Sequence, residues 1–373
     1  MDNSLSNFEP VAKIVVIGVG GGGCNAVNRM VDEEISNVEF FVANTDKQAL
    51  SLSKAPNRIV LGKELTKGLG AGGDPEVGRL AAEETVDEIK EIVAGADMVF
   101  VAAGMGGGTG TGAAPVIAKC AKDAGALTIG IVTRPFTFEG ESKLKYSIDG
   151  LNNLKQSSDS IIVVSNDKLL MNNGSAKVSS AFSESDRILA QSVKTICDLI
   201  LMPAIINRDF ADVRNTLKDS GKALIGFGSG EGPNRSEDAA LSALNCPLIE
   251  QSISGARRAI CHITCGEEVE LYECYNCVKK IKEESGSNMD LKFGVAINDQ
   301  LSDQIMVSII AGDFENDTDF ENAEPLQDTQ LDALIENHRQ NEQNHVEDLN
   351  ENANKNNEID DIIPDFNKFI NGD

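Results

Sequence analysis

From Lys13 to Ser165, short unbroken apolar runs take turns with segments whose apolar residues recur at helical spacing. Lys13 to Gly18, Val38 to Ala43, Asp97 to Ala103, Ala126 to Thr133 and Ser160 to Ser165 read as strands. Helical patterns such as Ala113 to Ala124 separate most of them. A strand that is apolar on both faces belongs in a parallel sheet covered by helices on either side. The order therefore predicts an α/β fold, with a Rossmann-like parallel sheet over residues 1–174 and ligands gathered beyond the carboxyl ends of its strands.

The period changes at Ser175. Val178, Phe182, Leu189, Val193, Ile196 and Ile200 step by threes, fours and sevens, which predicts one long central helix over 175–202. Beyond it, strands near Lys222 to Gly228, Arg258 to Thr264, Leu291 to Ile297 and Gln304 to Ala311 alternate with helices, so 203–312 is expected to form a smaller α+β domain. After Gly312 the chain turns to Asn, Asp, Glu and Gln, too poor in apolar residues to offset the entropy of ordering. Residues 313–358 are therefore expected to be a disordered acidic linker. The last stretch, 359–373, regains apolar anchors around a proline, Ile359 to Ile370. Such a motif on a tether reads as a partner-binding peptide, and its plainer reading is an inert frayed end.

Charge narrows the partners. The chain of 373 residues has a formal charge of −26, of which eighteen acidic and three basic residues from Gly312 onward supply −15. A chain this acidic repels phosphate backbones and anionic lipid, so neither nucleic acid nor direct membrane contact is expected, and a membrane link would need an adaptor protein. No apolar stretch reaches transmembrane length and Met1 to Pro10 lacks a secretory pattern, which points to the cytoplasm. The eight cysteines agree with a reducing compartment. Cys261, Cys265, Cys274 and Cys277, with His262, are close enough in sequence to raise a zinc site. Packing explains them without metal: Cys261 and Cys265 fall in a strand pattern, and Cys274 shares a helical stripe with Leu271, Val278 and Ile281.

The candidate chemistry starts at Gly106 to Gly112, Gly-Gly-Gly-Thr-Gly-Thr-Gly, between a strand and a helix. Backbone N–H groups there can turn toward one anion, with the helix dipole and the hydroxyls of Thr109 and Thr111 adding to the cradle. A second glycine turn, Gly18 to Asn25, contains Gly18, Gly20 and Gly23 in the dinucleotide spacing, and a third loop, judged flexible, runs from Gly68 to Asp74. A nicotinamide oxidoreductase is thus one reading. Three glycine loops, and histidines only at 262, 338 and 345, favour instead a mononucleotide with several phosphates. The P-loop pattern is missing, so backbone must hold the phosphates and Mg²⁺ is expected to neutralise them, with K⁺ a candidate companion. Farther on, Asp209 and Asp212 stand three apart at a helix start, where they either project together as a catalytic pair or cap the helix.

Gly106 to Gly112 together with Asn207 to Val213 resembles the FtsZ family of bacterial cell-division proteins, which are tubulin-like GTPases. Asn44-Thr45-Asp46, Thr133 to Phe136, Phe138 to Gly140, Asn166 to Leu170 and the terminal Ile363-Pro364-Asp365-Phe366 support the resemblance, which runs from about Lys13 to Ala311. It implies GTP at the sheet's carboxyl edge, with Gly20, Gly21, Gly22, Gly23, Cys24 and Asn25 and the run Gly104, Gly106, Gly107, Gly108, Thr109, Gly110 and Thr111 around the phosphates. Ala71, Gly72 and Gly73 would lie near the terminal phosphate, Glu139 would contact the ribose, and Asn166 and Asp186 would read the guanine edge, which excludes ATP. Asn44, Thr133, Pro135, Lys143 and Phe182 complete the implied pocket, Lys143 standing where the family commonly has arginine. Asn207, Asp209 and Asp212 would act on the GTP of the next subunit in a head-to-tail homopolymer that forms the mid-cell division ring. The terminal peptide would bind membrane-adaptor and division-regulator proteins. A tubulin-like filament with a purely structural or DNA-segregation role stays open beside the nicotinamide oxidoreductase.

Overall fold

The computed structural model of the chain describes residues 12–172, 178–201, 205–206, 209–246, 252–285 and 289–320. Ten strands form one sheet: β1 Ile14–Val19, β2 Val38–Asn44, β3 Asn57–Val60, β4 Met98–Gly104, β5 Leu127–Arg134, β6 Ser160–Ser165, β7 Gly221–Gly230, β8 Ala256–Cys265, β9 Asp290–Ile297 and β10 Ile305–Phe314. Their order is β3-β2-β1-β4-β5-β6-β7-β10-β8-β9. The first six are parallel, and β1, β4 and β5 are buried along nearly their whole length.

Alternate residues of these strands feed two cores. Val16, Phe100 and Ile129 pack with Ile188, Val193 and Ile196 of the central helix on one face. Ile17, Val99 and Val101 pack with Ala113, Ile117 and Leu151 on the other. Each such fully buried Val or Ile contributes about 1.5–3 kcal/mol relative to exposure. Losing either layer would expose a whole sheet face.

The central helix is Val178–Leu201, of 24 residues and so roughly 36 Å long; positions 175–177 and 202 lie outside the described residues. It carries the chain from the carboxyl edge of the parallel sheet, beside the end of β6, toward the opposite edge. There the helix Phe210–Leu217 leads into β7, which joins β6 in parallel through Ser160 to Ile162. The smaller domain therefore extends the first sheet, with β10 antiparallel to both β7 and β8. Cys261, Cys265, Cys274 and Cys277 are all buried in this domain's core, as packing requires. Among the described residues no three His, Cys, Asp or Glu side chains group as metal ligands, and no helix is long and apolar enough to cross a membrane.

Two expectations need correction. β3 escaped the sequence reading because only Ile59 of its four residues is buried, at the sheet's edge. The boundary at 312 also falls too early. β10 continues to Phe314, with Asp313 in the left-handed region and paired with Arg258 at 3.0 Å. Residues 315–320 then cross back to the first domain, where Lys155 Nζ meets Asp317 Oδ1 at 3.0 Å and Asn152 Oδ1 accepts from Phe320 N–H at 2.9 Å; the Lys222 ammonium of β7, in the smaller domain, lies 4.3 Å from the Phe320 ring centre. Linker residues 321–358 and the 359–373 peptide lie outside the described residues.

Candidate functional site

Strand order reverses between β1 and β4, which run parallel with Val19 opposite Ala103. That is where open α/β sheets leave a crevice. β1 passes straight into the helix Gly20–Asp32, and β4 reaches the helix Thr109–Asp123 through one short turn. Neither helix has a side-chain N-cap. Two sets of first-turn N–H groups and two positive dipole ends therefore face one space, which suits an anion. The second helix begins at Thr109, four residues before the expected Ala113, so the cradle is itself the helix's first turn.

Glycine is needed where these loops touch. Gly20 has φ +70°, and a Cβ there would lie 2.8 Å from Gly110 N. Gly106 has φ +99°, and its Cβ would come within 2.9 Å of Lys143 O and 3.1 Å of Pro135 Cγ. Gly21, Gly22 and Asn25 are exposed at the opening, and Gly23 and Cys24 are buried behind it. The Cys24 side chain belongs to the core, where burial pushes its thiol up to about 12, so its backbone is all it can offer a ligand.

Hydroxyl groups brace the loops. Thr45 Oγ1 and Thr109 Oγ1 are 2.7 Å apart, and the buried Thr111 Oγ1 accepts from Gly106 N–H at 2.8 Å. Thr111 was expected to point a donor into the cradle. In the helix's first turn its oxygen accepts from the loop, and its O–H remains a donor for the cradle. The third glycine loop, expected to be flexible, is tied to the end of β2. Lys47 N–H donates to Gly68 O at 3.1 Å, Gly70 N–H to Thr45 O at 3.2 Å, and Asp46 bridges to Leu69. Ala71 is buried and touches the Gly108 region, while Gly72 and Gly73 are exposed at the mouth before Asp74 caps the next helix. Buried Asn44 accepts from Asp46 N–H at 3.2 Å. Gly104 is paired with Thr133 across β4 and β5, bringing Thr133 and Pro135 to the same edge.

A second cluster lies beyond β5 and β6. Glu139 accepts from Phe136 N–H at 3.0 Å and pairs with Lys143 at 2.8 Å. Asp167 accepts from both Thr137 N–H and its hydroxyl, at 2.8 and 2.6 Å. The Phe136 ring stacks on Phe138 at 5.0 Å and meets Phe182 edge-on at 5.1 Å. Buried Asn166 accepts from Ser185 Oγ at 2.8 Å, which docks the start of the central helix against the end of β6. Asp186 follows directly. Burial pushes its carboxyl up to about 7, against the pull of nearby Arg29. An amide, a half-buried carboxyl and an exposed aromatic ring beside a phosphate cradle suit a planar base with ring N–H donors.

The acidic pair is elsewhere. Asp209 caps the helix Phe210–Leu217 by accepting from Asp212 N–H at 2.9 Å, and Asp212 Oδ1 receives Lys292 Nζ from β9 at 2.8 Å. The two carboxylates thus take different partners instead of projecting together, because the cap turns Asp209 back on its own helix. Arg214 donates to Gly125 O at 3.3 Å, just before β5 begins. This helix therefore sits at the amino edge of the parallel strands and the glycine loops at their carboxyl edge. A strand the length of β5, eight residues, separates them by roughly 26 Å. Asn207 lies outside the described residues. Thr45 and Asp167 entered the sequence reading only inside motifs, with no role assigned, and Ser185 and Lys292 were not singled out. Of the last two, Lys292 left a trace, as the one charge inside the apolar run Leu291 to Ile297.

Fold and crevice together define a tubulin-like nucleotide-binding protein whose glycine loops present backbone to the crevice and whose central helix bridges two domains. Residues 13–174 match the GTPase domain of the Tubulin/FtsZ family, and 221–315 match the FtsZ family C-terminal domain. The chain is 50% identical over 326 residues to the cell division protein FtsZ of Mycoplasmopsis pulmonis (strain UAB CTIP), covering 87% of this chain and 83% of that one. Among solved structures it is similar to an empty FtsZ dimer of M. jannaschii, with TM-score 0.75, 39% identity, and coverage of 81% of this chain and 88% of that one. CetZ2 from Haloferax volcanii, solved as a GTPγS-bound protofilament, shares the fold at TM-score 0.69 and 22% identity, over 88% of this chain and 98% of that one. The chain belongs to the FtsZ family, and its first domain is a GTPase domain. The nicotinamide reading is set aside.

Proposed function

We propose that this chain is a cell-division GTPase that polymerises head to tail, one subunit holding GTP and the next supplying Asp209 and Asp212 to hydrolyse it. The observation that carries this reading is the separation of the two groups at opposite edges of one sheet. Within a subunit the acids cannot reach the cradle; stacked subunits bring the amino edge of one onto the carboxyl edge of another. Such a contact does not close on itself, so it grows a filament. The solved FtsZ relative being a dimer supports self-association.

In this reading the loops around Gly20 and Gly106 hold the phosphates through N–H groups, Asn166 and Asp186 read guanine, and Glu139 meets the ribose. An Asp209 or Asp212 carboxylate orients the attacking water, and completing the centre in trans is expected to raise the rate by ~10³ or more. Mg²⁺ fits as the nucleotide's companion: the described loops offer N–H and hydroxyl donors, and Lys143 is already paired with Glu139. Its chemistry is charge neutralisation of the phosphates. K⁺ remains a candidate companion, and Ile359 to Ile370 is the proposed attachment for adaptor and regulator proteins at a cytoplasmic mid-cell ring.

Phosphate release from GTP, measured against protein concentration, tests the central point. Turnover per subunit should be low below a threshold concentration and rise sharply above it, in step with light scattering from polymer. A specific activity that stays constant under dilution would overturn hydrolysis in trans.

A further inference from the structure

Strand β9 holds the acidic segment at two places. Ile205 and Ile206 donate N–H to Val295 O at 2.9 and 3.2 Å, and Val295 N–H donates back to Ile206 O at 3.3 Å. Three residues earlier on the same strand, Lys292 Nζ contacts Asp212 Oδ1 at 2.8 Å across eighty residues of sequence. The bridge fixes where the segment lies; the lysine fixes where one carboxylate points. Asp209 needs no such partner, because its oxygen is oriented by the N–H it caps.

Stability does not account for the lysine. The two side chains retain 26% and 23% of their exposure, and ion pairs this open contribute little to folding. Its neighbours Leu291, Phe293 and Val295 pack on the domain core, which puts Lys292 on the strand's other face, so the core does not depend on it. What an ammonium adds is direction: it restricts the Asp212 side chain to one orientation before any partner arrives. Misplacement of a reacting group by about 1 Å can cost 10²-fold in rate. A carboxylate arranged in advance spares that loss at each new contact.

We infer that Lys292 is a positioning residue for GTP hydrolysis, holding Asp212 in the direction in which it meets the neighbouring subunit's nucleotide. This rests on the reading that Asp212 acts in trans. The full chain should be compared with Lys292→Met, Lys292→Arg and Asp212→Asn in three measurements: GTP affinity, polymer mass formed with GTPγS, and phosphate release from GTP per assembled subunit.

For Lys292→Met, affinity and polymer mass should match the parent while turnover per assembled subunit falls about tenfold. Lys292→Arg, which keeps the charge and the reach, should recover at least half of the lost turnover. The inference is overturned if Lys292→Met turns over within twofold of the parent, if its loss merely follows a loss of polymer, or if arginine restores nothing. Slow Asp212→Asn beside a parental Lys292→Met would defeat the positioning role and leave catalysis in trans standing. A fully active Asp212→Asn would defeat both.

Discussion

Asp186 shows how burial can prepare a group for a ligand. Its carboxyl, pushed up to about 7 by desolvation, is costly to ionise in the protein alone. The protonated form is the one the fold favours, so this contribution to stability is complete below about pH 4, the ordinary carboxylate range, and is lost as pH rises through about 7. In the proposed base site guanine donors would require the ionised form of Asp186, which gives binding the opposite trend. GTP affinity is expected to weaken roughly tenfold between pH 8 and pH 6, following the ionised fraction, and calorimetric titration at several pH values would show it. Asp186→Asn should bind weakly and lose most of that pH dependence. A wild-type affinity that is flat across this range would remove Asp186 from the base site.

Where strands and loops are concerned, Gly20 makes the corresponding test. Its φ of +70° costs a residue with a side chain roughly 1–2 kcal/mol, and the Cβ presses on Gly110. Gly20→Ala should therefore part the two phosphate loops, reducing GTP affinity about tenfold or more while the far-ultraviolet circular dichroism stays that of the parent. β1, β4 and β5 were legible within one residue, since strands buried on both faces write themselves as continuous apolar runs. β3 was not, because an edge strand with one buried side chain leaves no such run. The start at Thr109 was missed for a related reason: glycine and threonine carry no helical period, and the turn is helical because the sheet delivers it there. The capping of Asp209 is local and could be read from spacing. The Lys292 contact joins positions eighty residues apart, and no local pattern announces it.

The return of residues 315–320 to the first domain is the long-range counterpart. Lys155, with only 13% of its side chain exposed, binds the Asp317 carboxylate together with the carbonyls of Asp317 and Thr318 at 3.1 and 3.2 Å. Removing this charged donor leaves those acceptors short of a partner, so Lys155→Met should cost about 1–3 kcal/mol in urea unfolding, with GTP affinity unchanged. An unaltered midpoint would mean that the crossing segment contributes nothing to joining the domains. Composition hid it, since its acidic residues match those that follow. The crossing also decides how a pull on the acidic tail is received. Tension arriving at Phe320 meets Asn152, Lys155 and Lys222 first. Only after these yield does it reach Asp313 and Arg258, whose guanidinium donates to the Asn215 and Lys218 carbonyls at the end of the helix bearing Asp212. Like the clamp on an electrical cord, the segment keeps a tug on the cable from disturbing the connection inside.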